Sequence, residues 1–137
     1  MTAPSRLVAA LFPMPPRRFA WARPAQVALR SVHIAAMGLV LGGVGCGADA
    51  ERLLWPIVVV VATGFALLGV DLAKSCWYAV QGAGAAVWLK LALLGLGNLF
   101  PAARLELYVA ATVVASVGAH MTSALRHYSL VHGRVLD

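Results

Sequence analysis

The sequence predicts an all-α integral membrane protein, an up-down-up-down bundle of four transmembrane helices with both termini in the cytoplasm. Three observations carry that prediction. Of the 137 residues, 61% are hydrophobic and 12% are charged, where a soluble domain carries about 25% charged residues. The charges gather at the ends of four long apolar segments. The connections between segments are short, and short connections force neighbouring helices to run antiparallel. Such a composition argues against a soluble enzyme, a disordered chain and an ordinary nucleic-acid binder. A net charge of +6 would suggest nucleic acid in a soluble protein. Here there is no Lys/Arg stripe with interleaved aromatics, so the expected partner is the lipid bilayer and not nucleic acid.

Residues 1–24 read as a basic, proline-rich arm, with Pro4, Pro13, Pro15, Pro16 and Pro24 among Arg6, Arg17, Arg18 and Arg23. Its apolar run, Leu7 to Phe12, is shorter than the roughly 7–15 residues of a secretory core segment. The arm is therefore expected to stay, mostly irregular, at the membrane surface. Residues 25–128 form the transmembrane domain. Its spans run from about Gln26 to Ala48, Leu53 to Val70, Trp77 to Phe100 and Leu107 to Leu125. Each can cross ~30 Å of hydrocarbon at ~1.5 Å per residue. Continuous apolar character, in place of period-2 alternation, favours helices over a barrel. Pro56 is expected in the first turn of the second span, where its missing N–H costs little. Asn98 and Pro101 mark the turn before the fourth. Residues 129–137 read as a short polar tail in the cytoplasm, with Leu130 or Val131 continuing the helix along the interface.

Orientation follows from the cations. Arg6, Arg17, Arg18, Arg23, Arg30, Lys74, Arg126 and Arg134 fall on one side, Arg52 and Arg104 on the other. The positive-inside rule then puts both termini in the cytoplasm of a bacterial-type inner membrane. Cys46 and Cys76 fall at opposite ends, too far apart for a disulfide, which needs Cα atoms within roughly 7 Å. Trp21, Trp55, Trp77, Tyr78 and Tyr108 lie near predicted boundaries and fit an aromatic belt. Trp88 lies deeper, as a packing or lipid-facing residue. Gly38 and Gly42 form a small-xxx-small pair, read first as close packing within the chain and second as a dimer face.

Ionisable groups inside a bilayer are costly and raise a question of function. His33, Lys90 and His120 are the three. His33 is 16 residues from Asp49 and His120 is 16 from Arg104, which places both ~24 Å below the outer boundary. The first and last spans are expected neighbours, so the two rings share a depth. Such a pair suits axial ligation of haem b, or part of a copper site. Met37, one turn from His33 on the same face, adds a soft ligand for copper. His127 offers a further ligand on the cytoplasmic approach. Arg30 and Arg126 could pair with haem propionates or another anion. The structural alternative is that each histidine only hydrogen-bonds between helices. Lys90 is expected to snorkel, to pair with Glu106, or to hold an anion. Glu106 and Asp71 read as interfacial. No Ser/His/acid set or metalloprotease motif is present, so no enzyme chemistry is assigned.

Two stretches resemble the membrane domain of the copper resistance protein D family. Leu29-Arg30-Ser31-Val32-His33-Ile34-Ala35-Ala36-Met37-Gly38-Leu39-Val40-Leu41-Gly42-Gly43 has a histidine followed by small residues and a Gly-Gly pair. Trp88-Leu89-Lys90-Leu91-Ala92-Leu93-Leu94 is similar to that family's lysine-bearing helix. The resemblance involves His33, Gly42, Gly43 and Lys90, and implies an integral inner-membrane protein linked to copper handling. His120 and the Arg126–Arg134 tail lie outside it. The expected function is therefore a histidine-based copper or haem site in metal homeostasis or electron transfer. Two other readings stay open. One is an accessory subunit packing against a larger membrane complex, or against its own copies, through Gly-rich faces. The other is a small oligomeric transporter using Lys90 as its charge site.

Overall fold

The four apolar runs become four helices long and apolar enough to cross a membrane. The computed structural model describes residues 6–135. In chain order it contains α1 (Arg6–Leu11), α2 (Ala22–Gly45), α3 (Ala50–Lys74), a 3₁₀ turn (Cys76–Val80) and α4 (Gly82–Leu99). A second 3₁₀ turn (Pro101–Ala103), α5 (Arg104–His120), α6 (Ser123–Arg126) and a two-strand hairpin, β1 (Tyr128–Ser129) with β2 (Arg134–Val135), complete it. Helices are what the apolar runs must form in lipid, because a helix satisfies its own backbone polar groups. Their side chains point outward along the whole length: Ile34, Trp55, Phe65, Leu89 and Val117 are all exposed. Apolar surface on that scale marks contact with lipid. The interior is thin and made mainly of small or mid-sized residues, among them Ala36, Val40, Thr63, Tyr108 and Ala111.

The helices pack as two antiparallel pairs, α2 with α3 and α4 with α5, and the pairs meet along α2 and α5. The first and fourth spans are therefore neighbours, as expected. Both described termini lie at one end, here the basic end. The turn at the opposite end after α2 follows from Gly47. Its φ of 68° is a left-handed conformation that glycine adopts without a Cβ clash. This lets Ala48 N–H donate to the Gly43 carbonyl at 2.8 Å and Gly47 N–H to Val44 at 3.2 Å, the paired closure of a Schellman cap.

Several boundaries differ from the sequence expectation, each for a local reason. α3 begins at Ala50 after an extended Asp49, so Pro56 lies inside the helix and not in its first turn. The ring there faces the carbonyl four residues back, at Arg52. The third span does not start at Trp77. The Ser75 hydroxyl accepts from the Trp77 N–H at 3.3 Å and nucleates a 3₁₀ turn, and α4 starts only at Gly82. The fourth span stops at His120 and not at Leu125, because Met121 and Thr122 are extended. The chain there folds α6 against Gly82, where an added Cβ would run into the Leu125 carbonyl oxygen.

The tail and arm are also more ordered than expected. In place of a helical extension or solvated tail, residues 128–135 form the hairpin, turning through Gly133 at φ 61°. Ser129 is fully buried and bridges Gln81, and Leu130 N–H donates to the Val80 carbonyl at 3.0 Å. Within the arm, Phe12 packs edge-on against Trp77, whose other edge contact is His132. Arg17 places its backbone N–H on Lys74 O at 3.0 Å and its guanidinium on Ala73 O at 3.3 Å. A cation at the carbonyl end of α3 is the favourable end of that helix's dipole. The arm ends early, since Ala22, Arg23 and Pro24 form the first turn of α2. Residues 1–5 of the arm and 136–137 of the tail lie outside the described residues.

Trp21 and Trp55 are exposed near opposite ends, as a belt requires. Tyr108 is not a belt residue: it is buried and donates to Asn98 Oδ1 at 3.1 Å. Trp77 is likewise held between Phe12 and His132. Trp88 faces outward with its N–H satisfied by Ala79 O at 2.9 Å. Cys46 and Cys76 are free.

Close glycine packing occurs, but not at Gly38 and Gly42. A Cβ added at either meets nothing within 4 Å. Close approaches between helices occur instead at Gly43, where a Cβ would run into the Leu53 side chain, at Gly97, 2.7 Å from the Tyr108 ring, and at Gly118, 2.8 Å from Ala86 Cβ. The double variant Gly38→Ala/Gly42→Ala should therefore melt no lower than the parent in detergent, because alanine favours a helix over glycine. A lowered thermal midpoint would show that this face is packed against a second copy.

Candidate functional site

Polar side chains gather near the middle of three helices. His33 is eleven residues from the start of α2 and twelve from its end, and Lys90 is eight and nine residues from the ends of α4. Thr63 is thirteen and eleven residues from the ends of α3. His33 Nδ1 and Thr63 Oγ1 are 2.9 Å apart. The Thr63 hydroxyl has one proton, and its oxygen lies 2.6 Å from its own-helix Val59 carbonyl. With that proton on Val59, Thr63 can only accept from His33. The ring is thereby fixed as the Nδ1–H tautomer, with the Nε2 lone pair free. Gly64 leaves room for the ring: an added Cβ would sit 3.4 Å from His33 Cε1.

His120 reaches the same protonation pattern by a different route. Its Nδ1 lies 2.9 Å from the Ser116 carbonyl oxygen. A carbonyl only accepts, so Nδ1 carries the proton and Nε2 is again free. His33 is half-buried and His120, the last residue of α5, is exposed. Gly45 on α2 faces Leu105 on α5. Counting from that contact toward the basic end, His33 is twelve residues down and His120 fifteen. The offset is ~4.5 Å, less than one helical turn, so the expected common depth holds to within that distance. No hydrogen bond joins the two rings. Met37 is half-buried one turn from His33 on α2, and His127 is half-buried after α6.

Lys90 is half-buried, its charge is close enough to act on His33, and it has no polar partner among the described residues. The expected pairing with Glu106 does not form. Among the described residues the ion pair is Lys74–Asp71 at 3.2 Å. The reason is helix direction. Side chains lean toward their helix's N-terminus, which for α4 is the basic end, while Glu106 sits in the first turn of α5 at the other end. There Glu106 helps line a cavity of about 300 Å³ with Arg104, Leu105 and Val44.

At the basic end a second polar group appears that the sequence reading missed. Gln26 Nε2 donates to Asp71 Oδ1 at 2.6 Å, and Lys74 Nζ donates to Gln26 Oε1 at 2.8 Å. The available signal was a glutamine opening one apolar run and an Asp-x-x-Lys closing the next. Beside this group, burial pushes the Tyr78 hydroxyl up to about 12, with Asp71 adding to the effect and Arg30 and Arg126 opposing it. Arg30 and Arg126 thus share a neighbourhood with Tyr78. Arg126 is anchored there by donating to the Ala119 carbonyl at 2.8 Å.

Among the described residues, no group of three or more His, Cys, Asp or Glu is placed to hold a metal ion. A bare metal ion would need more protein ligands than the two histidines, whereas a haem brings four of its own and needs two. No protein-family model, curated protein or solved structure matches the chain, so the functional reading rests on these residues alone.

Proposed function

We propose that this multi-pass membrane protein is an electron-transfer protein holding haem b between His33 on α2 and His120 on α5, with its basic end facing the cytoplasm. The observation that carries the reading is the shared tautomer. Both rings are anchored through Nδ1–H, both keep an Nε2 lone pair, and they stand on neighbouring helices within a helical turn of the same depth. A second hydrogen bond that fixes ring orientation is the usual companion of metal ligation by histidine. When bound, haem supplies a one-electron couple. The chain's own part is to orient the rings through Thr63 and the Ser116 carbonyl. Lys90 adds positive charge near His33, which favours an anionic haem over a further bare cation.

The test is an absorption spectrum of the detergent-purified protein, oxidised and reduced, with metal analysis. Haem bands are expected, and His33→Ala or His120→Ala should each abolish them. Stoichiometric copper without haem would move the site to His33, Met37 and His120. If neither cofactor appears and both variants behave as the parent does, the protein is better read as an accessory subunit.

A further inference from the structure

Both ends of the chain are fastened to one short element, the 3₁₀ turn at Cys76–Val80. On the arm side, Phe12 meets the Trp77 ring at 4.9 Å between centroids, and the Ser75 hydroxyl just before the turn donates to the Pro13 carbonyl at 3.3 Å. On the tail side, His132 meets the same Trp77 ring at 4.8 Å, and Leu130 N–H donates to the carbonyl of Val80, the last residue of the turn. Trp77 is thus the joint between arm and tail. A 3₁₀ turn has poorer hydrogen-bond geometry than an α-helix, and the segments fastened to it bury few side chains. Such a unit opens at a lower free energy than the spans it is attached to.

The closed form depends on the proton state of His132. The Ser129 side chain is fully buried. Its oxygen accepts from the His132 backbone N–H at 3.2 Å and lies 3.0 Å from His132 Nδ1. The hydroxyl proton has no other acceptor among the described residues. It therefore goes to Nδ1, and the ring is neutral with its own proton on Nε2. A second ring proton would occupy Nδ1, turn that nitrogen into a donor and leave the buried hydroxyl proton without an acceptor, which is destabilising. The ring itself is exposed, so water can deliver that proton. The titratable or charged groups on the elements around it are Cys76 and Tyr78 on the turn, Tyr128 and Arg134 in the hairpin, Arg126 and His127 at α6, Arg17 and Arg18 in the arm, and Asp71 and Lys74 at the end of α3. The one carboxylate among them, Asp71, is engaged by Gln26 and Lys74, so none answers an imidazolium at His132. The closed form thus takes up a proton less readily than the open one, and acid shifts the balance toward opening. We propose that arm and tail form a single cap on the basic end, jointed at Trp77 and latched by neutral His132, which opens in acid. Imidazole is the side chain whose charge ordinarily changes between about pH 5 and 8. Opening uncovers the buried Ser75, Gln81 and Ser129 side chains at the basic end. This cap does not depend on the haem reading.

The experiment is hydrogen–deuterium exchange of the full chain in nanodiscs at about pH 7.5 and about pH 5.5, each referenced to the unfolded chain at the same pH. In the parent, acid should lower protection about tenfold, the effect of one unmet buried donor. The loss should appear both at residues 128–135 and at Arg17, whose N–H donates to Lys74 O, with the four spans unchanged. His132→Asn keeps a side-chain acceptor near the Nδ1 position without a site for the extra proton, and should stay closed at both values. His132→Phe keeps a ring against Trp77 without an acceptor and should be open at both. Ser129→Ala removes the buried hydroxyl and should flatten the response. Phe12→Ala should lower the protection of the tail, because Phe12 reaches the tail through Trp77. Circular dichroism checks that each variant keeps its helices, and His127→Gln should respond to acid as the parent does. An undiminished acid response in His132→Asn would overturn the proposal. So would tighter closure in acid, with the imidazolium held on the Trp77 ring, or a tail that opens while Arg17 stays protected, since arm and tail would then not be one cap.

Discussion

Replacing Thr63 with valine should weaken cofactor binding at His33 by about 10- to 100-fold, the usual cost of removing an outer-shell hydrogen bond to a metal-ligating histidine. Valine matches threonine in shape, so α3 keeps its packing against α2 and only the acceptor is lost. Without it the His33 ring is free to rotate and to exchange tautomers, and a ring with Nε2 protonated cannot ligate through that nitrogen. The Val60 carbonyl, also within reach of the ring, takes over part of the role and keeps the loss below that of His33→Ala. Thr63→Ser retains the hydroxyl and should behave like the parent. The measurement is the rate and extent of haem transfer from each purified variant to an excess of a haem-scavenging protein. Valine and serine variants with the same transfer curve as the parent would remove Thr63 from the site.

Thr63 also shows where sequence reading stopped. The four spans were legible because apolar runs bounded by charge have no other stable form in a bilayer. The depths of His33 and His120 were legible too, since they need only residue counts. Thr63 itself was silent. A threonine in an apolar run satisfies its own hydroxyl on the preceding turn, as Thr63 does on Val59 and Val60, so nothing in the sequence marks it as the partner of a histidine 30 residues away. Lys90 was recognised as unusual, but Glu106 was among the partners offered for it, because charge and distance along the chain were weighed without the lean of side chains toward a helix's N-terminus. The ends of the third and fourth spans were misplaced for a further reason. Hydropathy continues through Trp77–Val80 and past His120, and the breaks there are imposed by contacts between segments distant in sequence. The hairpin at residues 128–135 depends on the same contacts, with Ser129 on Gln81 and Leu130 on Val80.

Those contacts converge on Gly82, and Gly82→Ala is the second substitution with a large expected effect. The added methyl would meet the Leu125 carbonyl, a backbone atom that cannot swing aside as a side chain can. Leu125 is also held by the residues that follow it: Arg126 is tied to Ala119 O, and Ser129 is buried against Gln81. Overpacking of this kind costs about 1–3 kcal/mol, and the cheapest relief is to release α6 and the hairpin from the end of α4. The four spans themselves need not move, because their pairing rests on Gly97, Gly118 and the α2–α3 contacts. Gly82→Ala should therefore leave helix content intact while making the chain after His120 sensitive to protease. Release would also withdraw the Arg126 guanidinium from the last turn of α5 and separate it from Tyr78. Because His33 and His120 stand on the spans that stay paired, cofactor retention should remain at the parent's level in this variant, in contrast to Thr63→Val. A protease-resistant tail would mean that the Leu125 carbonyl shifts freely, and that the basic end is not held together through Gly82.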